Sequence, residues 1–351
     1  MCNDRPGVAD SAYLDLADVG RAPRAVFFEC AGVRYGALRW ELLPDMVSPV
    51  RVPECVSVPP IVLLHGFSQS GQTWDEVAPR LVASWPGRVA WAPDFVGHGI
   101  SDAPRDPTPY AFDELVATLD AFIEDVVLPD AAACRAGEAA PATACPNGAE
   151  GPSRVALVGY SMGGRVALAY AAAHPERVSA LVLESAGLGP ADEAARTAAA
   201  ERDAALAARV RREPLADFMD FWETRPVFAS QLGLGRAQRD RLRAARMDND
   251  PEALALAFEG SGQHAMPNLC GVPARLAASG IPVLYLAGEL DPKYAWVAES
   301  LRAADAWGLD VRVLPGVGHD VHFESPTTFC RAVVPFLATA RAEISERGMR
   351  S

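Results

Sequence analysis

Apolar residues along this chain switch repeatedly between two periods. Residues 24–43, "RAVFFECAGVRYGALRWELL", alternate closely enough to predict an opening β-hairpin. After a loop rich in Pro and Val, "PPIVLLHGF" (59–67) reads as a buried strand and "WDEVAPRLVAS" (74–84) as a helix. "RVAWAPDF" (88–95) follows as a strand and "FDELVATLDAFIEDVV" (112–127) as a helix. Further strands are expected at 154–160, 178–185, 281–289 and 309–315, with helices at 295–307 and from Pro326 onward. Strand and helix in strict alternation predict an α/β fold, with a mostly parallel central sheet flanked by helices.

Two stretches break this rhythm. Residues 129–153, "PDAAACRAGEAAPATACPNGAEGPS", lack apolar periodicity and are expected to form a disordered insertion. Residues 188–275 carry only helical patterns rich in Ala and Arg, which predicts an inserted helical cap. The core would then be divided into a first part, 1–187, and a second part, 276–351. No internal repeat is visible.

Composition narrows the partners. Half of the 351 residues are hydrophobic, enough for one large α/β domain with an insertion. The net charge of -13 argues against nucleic acid and anionic membranes as partners. It also disfavours an anionic small substrate unless arginines are concentrated locally. No run of 18 apolar residues occurs, and "MCNDRPGVAD" at the N-terminus is not a signal peptide, so a soluble cytoplasmic protein is expected. The seven cysteines (2, 30, 55, 134, 145, 270 and 330) are scattered and never spaced as Cys-x-x-Cys, and they read as reduced thiols.

The chemistry concentrates in "VALVGYSMGGRVALAYAAAHPERVSALVLES" (155–185). Ser161 sits in a Gly-x-Ser-x-Gly pattern between an apolar β-branched run and an alanine-rich helical segment. Strand, sharp turn and helix in that order describe the nucleophile elbow of an α/β-hydrolase. An elbow serine needs a base, and the base needs an orienting carboxylate, in the chain order Ser, acid, His. His319 in "PGVGHDVHF", directly after the last strand, is the candidate base. His322 is the local rival, otherwise a surface or packing residue, and an i, i+3 histidine pair without a third ligand is a weak metal site. Asp291 in "YLAGELDPKY" is the candidate acid, although an aspartate before Pro292 is also a ready N-cap; Glu184 is the alternative acid. Asp94, Asp102 and His98 read as loop-ordering residues. The backbone amides of Met162 and Phe67 are the candidate oxyanion donors, able to stabilise a tetrahedral adduct or an enolate. Arg165 lies one helical turn after Ser161 and faces the same way, unusual for a simple esterase.

Taken together, "LHGF", "VGYSMGGR", "AAR" (194–196), "RREPLADFMDFWETRPVFAS", "RAARMDN" (243–249), "AGELDPKY" and "GHDVHFE" resemble the 2-succinyl-6-hydroxy-2,4-cyclohexadiene-1-carboxylate synthase family. These are α/β-hydrolase-fold lyases of menaquinone biosynthesis. The resemblance implies proton removal next to a ketone and elimination of pyruvate from 2-succinyl-5-enolpyruvyl-6-hydroxy-3-cyclohexene-1-carboxylate, with no cofactor or metal. It implies a triad of Ser161, Asp291 and His319, with Arg165, Arg196 and Arg246 binding the carboxylates of a small anionic polycarboxylate substrate. Trp222 and Tyr160 would line the pocket. The chain departs from the family pattern at Trp222-Glu223, where an aromatic pair is usual, and at "SAGLGP". The alternative is a carboxylesterase or carbon-carbon bond hydrolase that uses Ser161 as a covalent nucleophile.

Overall fold

The computed structural model describes residues 23–41, 58–84, 88–136, 153–304 and 307–348. The opening hairpin pairs β1 (Arg24–Cys30) with β2 (Val33–Glu41). Ala31 and Gly32 between them both have positive φ (50° and 79°), the two-residue turn whose twist matches that of its strands. Then follow β3 (Ile61–Leu64), α1 (Ala78–Ala83), β4 (Val89–Pro93) and α2 (Phe112–Phe122). Pro79 sets the start of α1 later than expected, and Gly71–Trp74 forms a separate 3-10 turn.

One π turn, Ile123–Val127, carries α2 into α3 (Leu128–Ala136). This corrects the expected disorder over 129–136: Asp130 accepts a 3.0 Å hydrogen bond from Arg39 Nε and ties the helix to β2. The absence of an apolar stripe hid a segment anchored by charge. Residues 137–152, the N-terminal segment 1–22 and the loop 42–57 lie outside the described residues.

The remaining core elements are β5 (Val155–Tyr160), α4 (Met162–Ala173) and β6 (Val178–Glu184). Between β6 and β7 the chain forms α5 (Glu193–Arg212), α6 (Leu215–Glu223), α7 (Arg236–Met247) and α8 (Pro251–Ser261), then α9 (Val272–Ala278), which spans the expected boundary at 275 and packs on α4 and β7. The chain closes with β7 (Val283–Gly288), α10 (Pro292–Arg302), β8 (Leu309–Leu314), α11 (Val321–Glu324) and α12 (Pro326–Gly348). Sheet order is β1-β2-β4-β3-β5-β6-β7-β8, antiparallel at β1–β2 and β2–β4 and parallel elsewhere.

Alternate strand residues feed two cores. Val62, Leu64 and Leu157 pack with Val166 and Tyr170 of α4 on one face, while Leu63 and Val158 pack with Trp74 and with Phe329 of α12 on the other. A third cluster, including Leu206, Val210, Phe218, Leu254 and Phe258, holds α5, α6 and α8 together. Arg211 of α5 clamps Glu252 and Glu259 of α8 across the same contact. No helix among the described residues is long and apolar enough to cross a membrane.

Backbone packs closely where α4 leaves β5. The Gly163 amide donates to the His65 carbonyl at 3.1 Å, and a Cβ on Gly163 would run into the carbonyls of Leu64 and His65. Backbone cannot swing aside as a side chain can. Gly163→Ala is therefore expected to lose about 1–3 kcal/mol of stability in urea unfolding. A change below about 0.5 kcal/mol would show that α4 slides off β3 without penalty.

Candidate active site

Ser161 stands between β5 and α4 with φ 49° and ψ -105°, a conformation that typically costs a non-glycine residue about 1–3 kcal/mol. Neighbouring contacts hold it there. Its amide donates to the Glu184 carbonyl at 2.9 Å, and its carbonyl accepts from the Arg165 amide at 3.1 Å. Gly159 and Gly164 lie so close that a Cβ on either would strike the other turn of backbone.

His319 arrives on the loop after β8. Its Nε2 lies 3.1 Å from Ser161 Oγ and its Nδ1 2.6 Å from Asp291 Oδ2. With Nδ1–H donating to the carboxylate, Nε2 is left as the acceptor for the serine hydroxyl. Asp291 follows β7 and also caps α10, its Oδ1 accepting from the Tyr294 amide at 3.3 Å. The two readings of Asp291, acid and N-cap, are both realised, one on each oxygen. Met162 is the first residue of α4, where a helix leaves its N–H groups without intrahelical acceptors, and Phe67 lies on the loop after β3, the strand paired with β5.

The other candidates fall elsewhere. Glu184, the alternative acid, is fully buried and holds His322: its carboxylate accepts from the His322 amide and lies 2.9 Å from Nδ1. His322 is thus buried, not a surface residue, because Trp74 stacks on its ring at 3.8 Å. The metal-ligand grouping that the described residues contain is Glu184, Asp320 and His322, not a pair of histidines. Asp94 accepts from the amides of Gly71 and Ile100, and Asp102 receives the Arg34 amide, so both order loops. His98 is buried with Nδ1 3.0 Å from the Val96 carbonyl.

The three arginines differ sharply. Arg165 is 7% exposed, donates to the Ser261 carbonyl at 2.9 Å and has no carboxylate partner among the described residues. Burial pushes its guanidinium below the usual value, though an arginine stays charged. Arg246 is 3% exposed but paired with Glu223 at 3.2 Å, bonded to Gln231 and packed over Phe228. Arg196 reaches the carbonyls of His264 and Met266. Glu223 was the position where the chain departs from the family pattern, and its carboxylate on Arg246 is the consequence. Trp222 packs with Phe67, Phe228 and Phe258, and Phe228 in turn touches His319. Tyr160 is 3% exposed, its ring packed against both His319 and His322. A cavity of about 750 Å³ on the side of His322 is lined by Asp75, Glu76 and Asp248 against Arg241 and includes none of Ser161, Asp291 and His319, a poor setting for an anion.

A strained serine between β5 and α4, with a histidine and an aspartate delivered after β8 and β7, defines an α/β-hydrolase, and the chain belongs to that family: the alpha/beta hydrolase family model matches residues 61–332. A thermophilic esterase from Thermogutta terrifontis shares the fold at TM-score 0.66 and 19% identity, over 91% of this chain and 99% of that one. Within the superfamily the chain belongs to the 2-succinyl-6-hydroxy-2,4-cyclohexadiene-1-carboxylate synthases. It is 32% identical to the synthase of Serratia proteamaculans (strain 568) and 31% to that of Enterobacter sp. (strain 638), in each case over 80% of this chain and 93% and 92% of the relative. MenH from S. aureus superposes with TM-score 0.69 at 26% identity, covering 87% of this chain and 98% of that one.

The buried histidines near the site make stability depend on pH. Burial lowers His65 to about 3, helped by neighbouring His98, and lowers His98 to about 4. Both folded values lie below the ordinary one, so the stability of the neutral forms is present above pH 6.5 and is lost as pH falls toward 4. Each histidine adds a slope of up to about 1.4 kcal/mol per pH unit in that window. His98→Gln is expected to flatten the decline between pH 6.5 and 4.5, measured by urea unfolding at stepped pH. Identical slopes in both proteins would show that His98 does not fold as the neutral ring.

Proposed function

We propose that the chain eliminates pyruvate from 2-succinyl-5-enolpyruvyl-6-hydroxy-3-cyclohexene-1-carboxylate to form 2-succinyl-6-hydroxy-2,4-cyclohexadiene-1-carboxylate, with Ser161, His319 and Asp291 acting as one proton-transfer unit. The observation that carries this reading is Arg165, a buried guanidinium one helical turn after Ser161 with a carbonyl for company and no carboxylate among the described residues. A buried charge left without its counterion is costly, and a substrate carboxylate would remove that cost. A hydrolase of neutral esters has no such use for it.

In the proposed reaction Asp291 holds His319 through Nδ1–H, and Nε2 takes the Ser161 proton. The serine oxygen removes the proton from the carbon next to the ketone; the C–H pair forms a C=C bond to the ketone carbon as the C=O π pair moves onto oxygen, giving an enolate. Amides of Met162 and Phe67 bind the enolate oxygen. As the enolate collapses through the conjugated ring, a new C=C bond forms and the C–O bond to the enolpyruvyl group breaks. The leaving pyruvate enolate takes up the proton returned through Ser161 and His319. No acyl-enzyme forms.

Helices α5 to α8 act in this reading as a cap that brings arginines to an acidic protein. Arg165 is the first anchor for a substrate carboxylate; Arg246 would share its guanidinium between Glu223 and substrate, and Arg196 would add a third contact from its partly exposed side chain. Trp222 would line the pocket, and Tyr160 would contribute the wall behind His319. The reading includes a cytoplasmic location and no nucleic-acid or membrane partner, supported by the net charge of -13.

Ser161→Ala and His319→Ala should each remove most pyruvate release, and the double variant should be scarcely worse than either, since they act as a unit. Near-normal turnover in either single variant would refute the assignment.

Arg165→Ala is expected to lower kcat/KM for the enolpyruvyl substrate by about 10- to 150-fold, or roughly 1.5–3 kcal/mol. Arg165→Lys should recover little of this, because it keeps the charge and loses the planar fork. The rate on a small neutral ester, measured in the same folded variants, should barely change. Equal losses on both substrates would make Arg165 structural and favour the generic hydrolase.

A further inference from the structure

We propose that His322 is a positioning residue, pinned between Glu184 and Asp320 so that the loop carrying His319 is held against both the elbow and the oxyanion loop. The inference rests on the reading of Ser161 and His319 as a proton-transfer pair, and adds a residue to it.

The cluster is fully enclosed: Glu184 and Asp320 are 0% exposed and His322 is 1% exposed. His322 Nδ1 lies 2.9 Å from Glu184 Oε2 and 3.1 Å from Asp320 Oδ1, and the His322 amide donates to the second Glu184 oxygen at 2.9 Å. Each carboxylate reaches a different part of the site. Glu184 is the residue whose backbone carbonyl receives the Ser161 amide. Asp320 accepts from Gln69 Nε2 at 2.6 Å, and Gln69 lies two residues beyond Phe67. Asp320 also directly follows His319. One imidazole therefore ties together the three segments that carry the nucleophile, the base and an oxyanion donor.

Packing fixes its orientation. Trp74 stacks on the His322 ring, and Tyr160 fills the space between it and His319. Burial alone would push the ring toward neutrality, but Glu184 and Asp320 outweigh it and raise His322 above its usual value. Both carboxylates face the same ring atom, Nδ1, which meets Glu184 at 2.9 Å and Asp320 at 3.1 Å. The same three side chains could in principle clasp a metal ion, but hydrogen-bond spacing between Nδ1 and the carboxylate points to a shared proton.

The test uses Ser161 labelling by a fluorophosphonate, which reads the alignment of serine, base and oxyanion donors without needing the natural substrate. His322→Asn places an amide N–H near the position of Nδ1, whereas His322→Phe keeps the stack on Trp74 and has no donor. His322→Phe should label about 100-fold more slowly than wild type, as expected for a small misplacement of the base. His322→Asn should stay within about tenfold, as expected when one donor is retained. In the pyruvate assay both should lose kcat with KM within about twofold. Should His322→Phe fail to fold, Glu184→Gln decides, since it keeps the volume and changes the charge: slower labelling with an intact melting transition supports the proposal.

Wild-type labelling rates in His322→Phe or in folded Glu184→Gln overturn it, as do equal losses in the Asn and Phe variants. A stoichiometric metal in purified protein, lost on substitution of His322, overturns it in favour of a metal site. Failure of the wild-type protein to label at all removes the Ser161 reading on which the proposal stands, whereas labelling without pyruvate release removes only the proposed substrate.

Discussion

The backbone of Ser161 is the constraint from which the rest of the site follows. A serine held at positive φ will relax unless its neighbours forbid it, and here three elements do so at once. The end of β6 takes its amide, the first turn of α4 takes its carbonyl, and glycines at 159, 163 and 164 let strand and helix approach to backbone contact. The side chain is thereby raised at the strand's end, where Met162 opens α4. The strain and the placement of the serine come from one turn.

Charge is the second organising element. A protein of net charge -13 can recognise an anion only by local arrangement, and the arginines here form a graded set. Arg246 is neutralised by Glu223, and Arg196 is occupied by backbone carbonyls. Arg165 alone of the three is both buried and without a carboxylate or a second carbonyl. In the proposed reaction selectivity for carboxylates thus resides first in the helix that also carries the serine, so that substrate registers directly against the reacting atom.

Legibility from sequence followed the range of the interactions. Strand and helix alternation, the elbow and the order of serine, aspartate and histidine are local patterns, and the structure brings Ser161, Asp291 and His319 within hydrogen-bond reach. What stayed hidden was long-range or electrostatic. α3 has no apolar stripe, and its link from Asp130 to Arg39 spans 91 residues. His322 looked peripheral because its partner Glu184 lies 138 residues away; the spacing within "GHDVHFE" was the available hint. Glu223 departs from the family pattern in the sequence, yet its pairing with Arg246 depends on how α6 and α7 meet.

The order of the sheet also has a consequence for synthesis. β8, whose following loop carries His319, is one of the two edge strands, and Ser161 precedes His319 by 158 residues. Chains emerge N-terminal end first, and parallel strands pair only after long loops have closed. A growing polypeptide therefore displays Ser161 long before the loop that carries His319 has been made, and the 3.1 Å contact between them waits until the last strand docks. In the proposed reaction, activation of the serine is in this sense a report that the whole sheet has been completed.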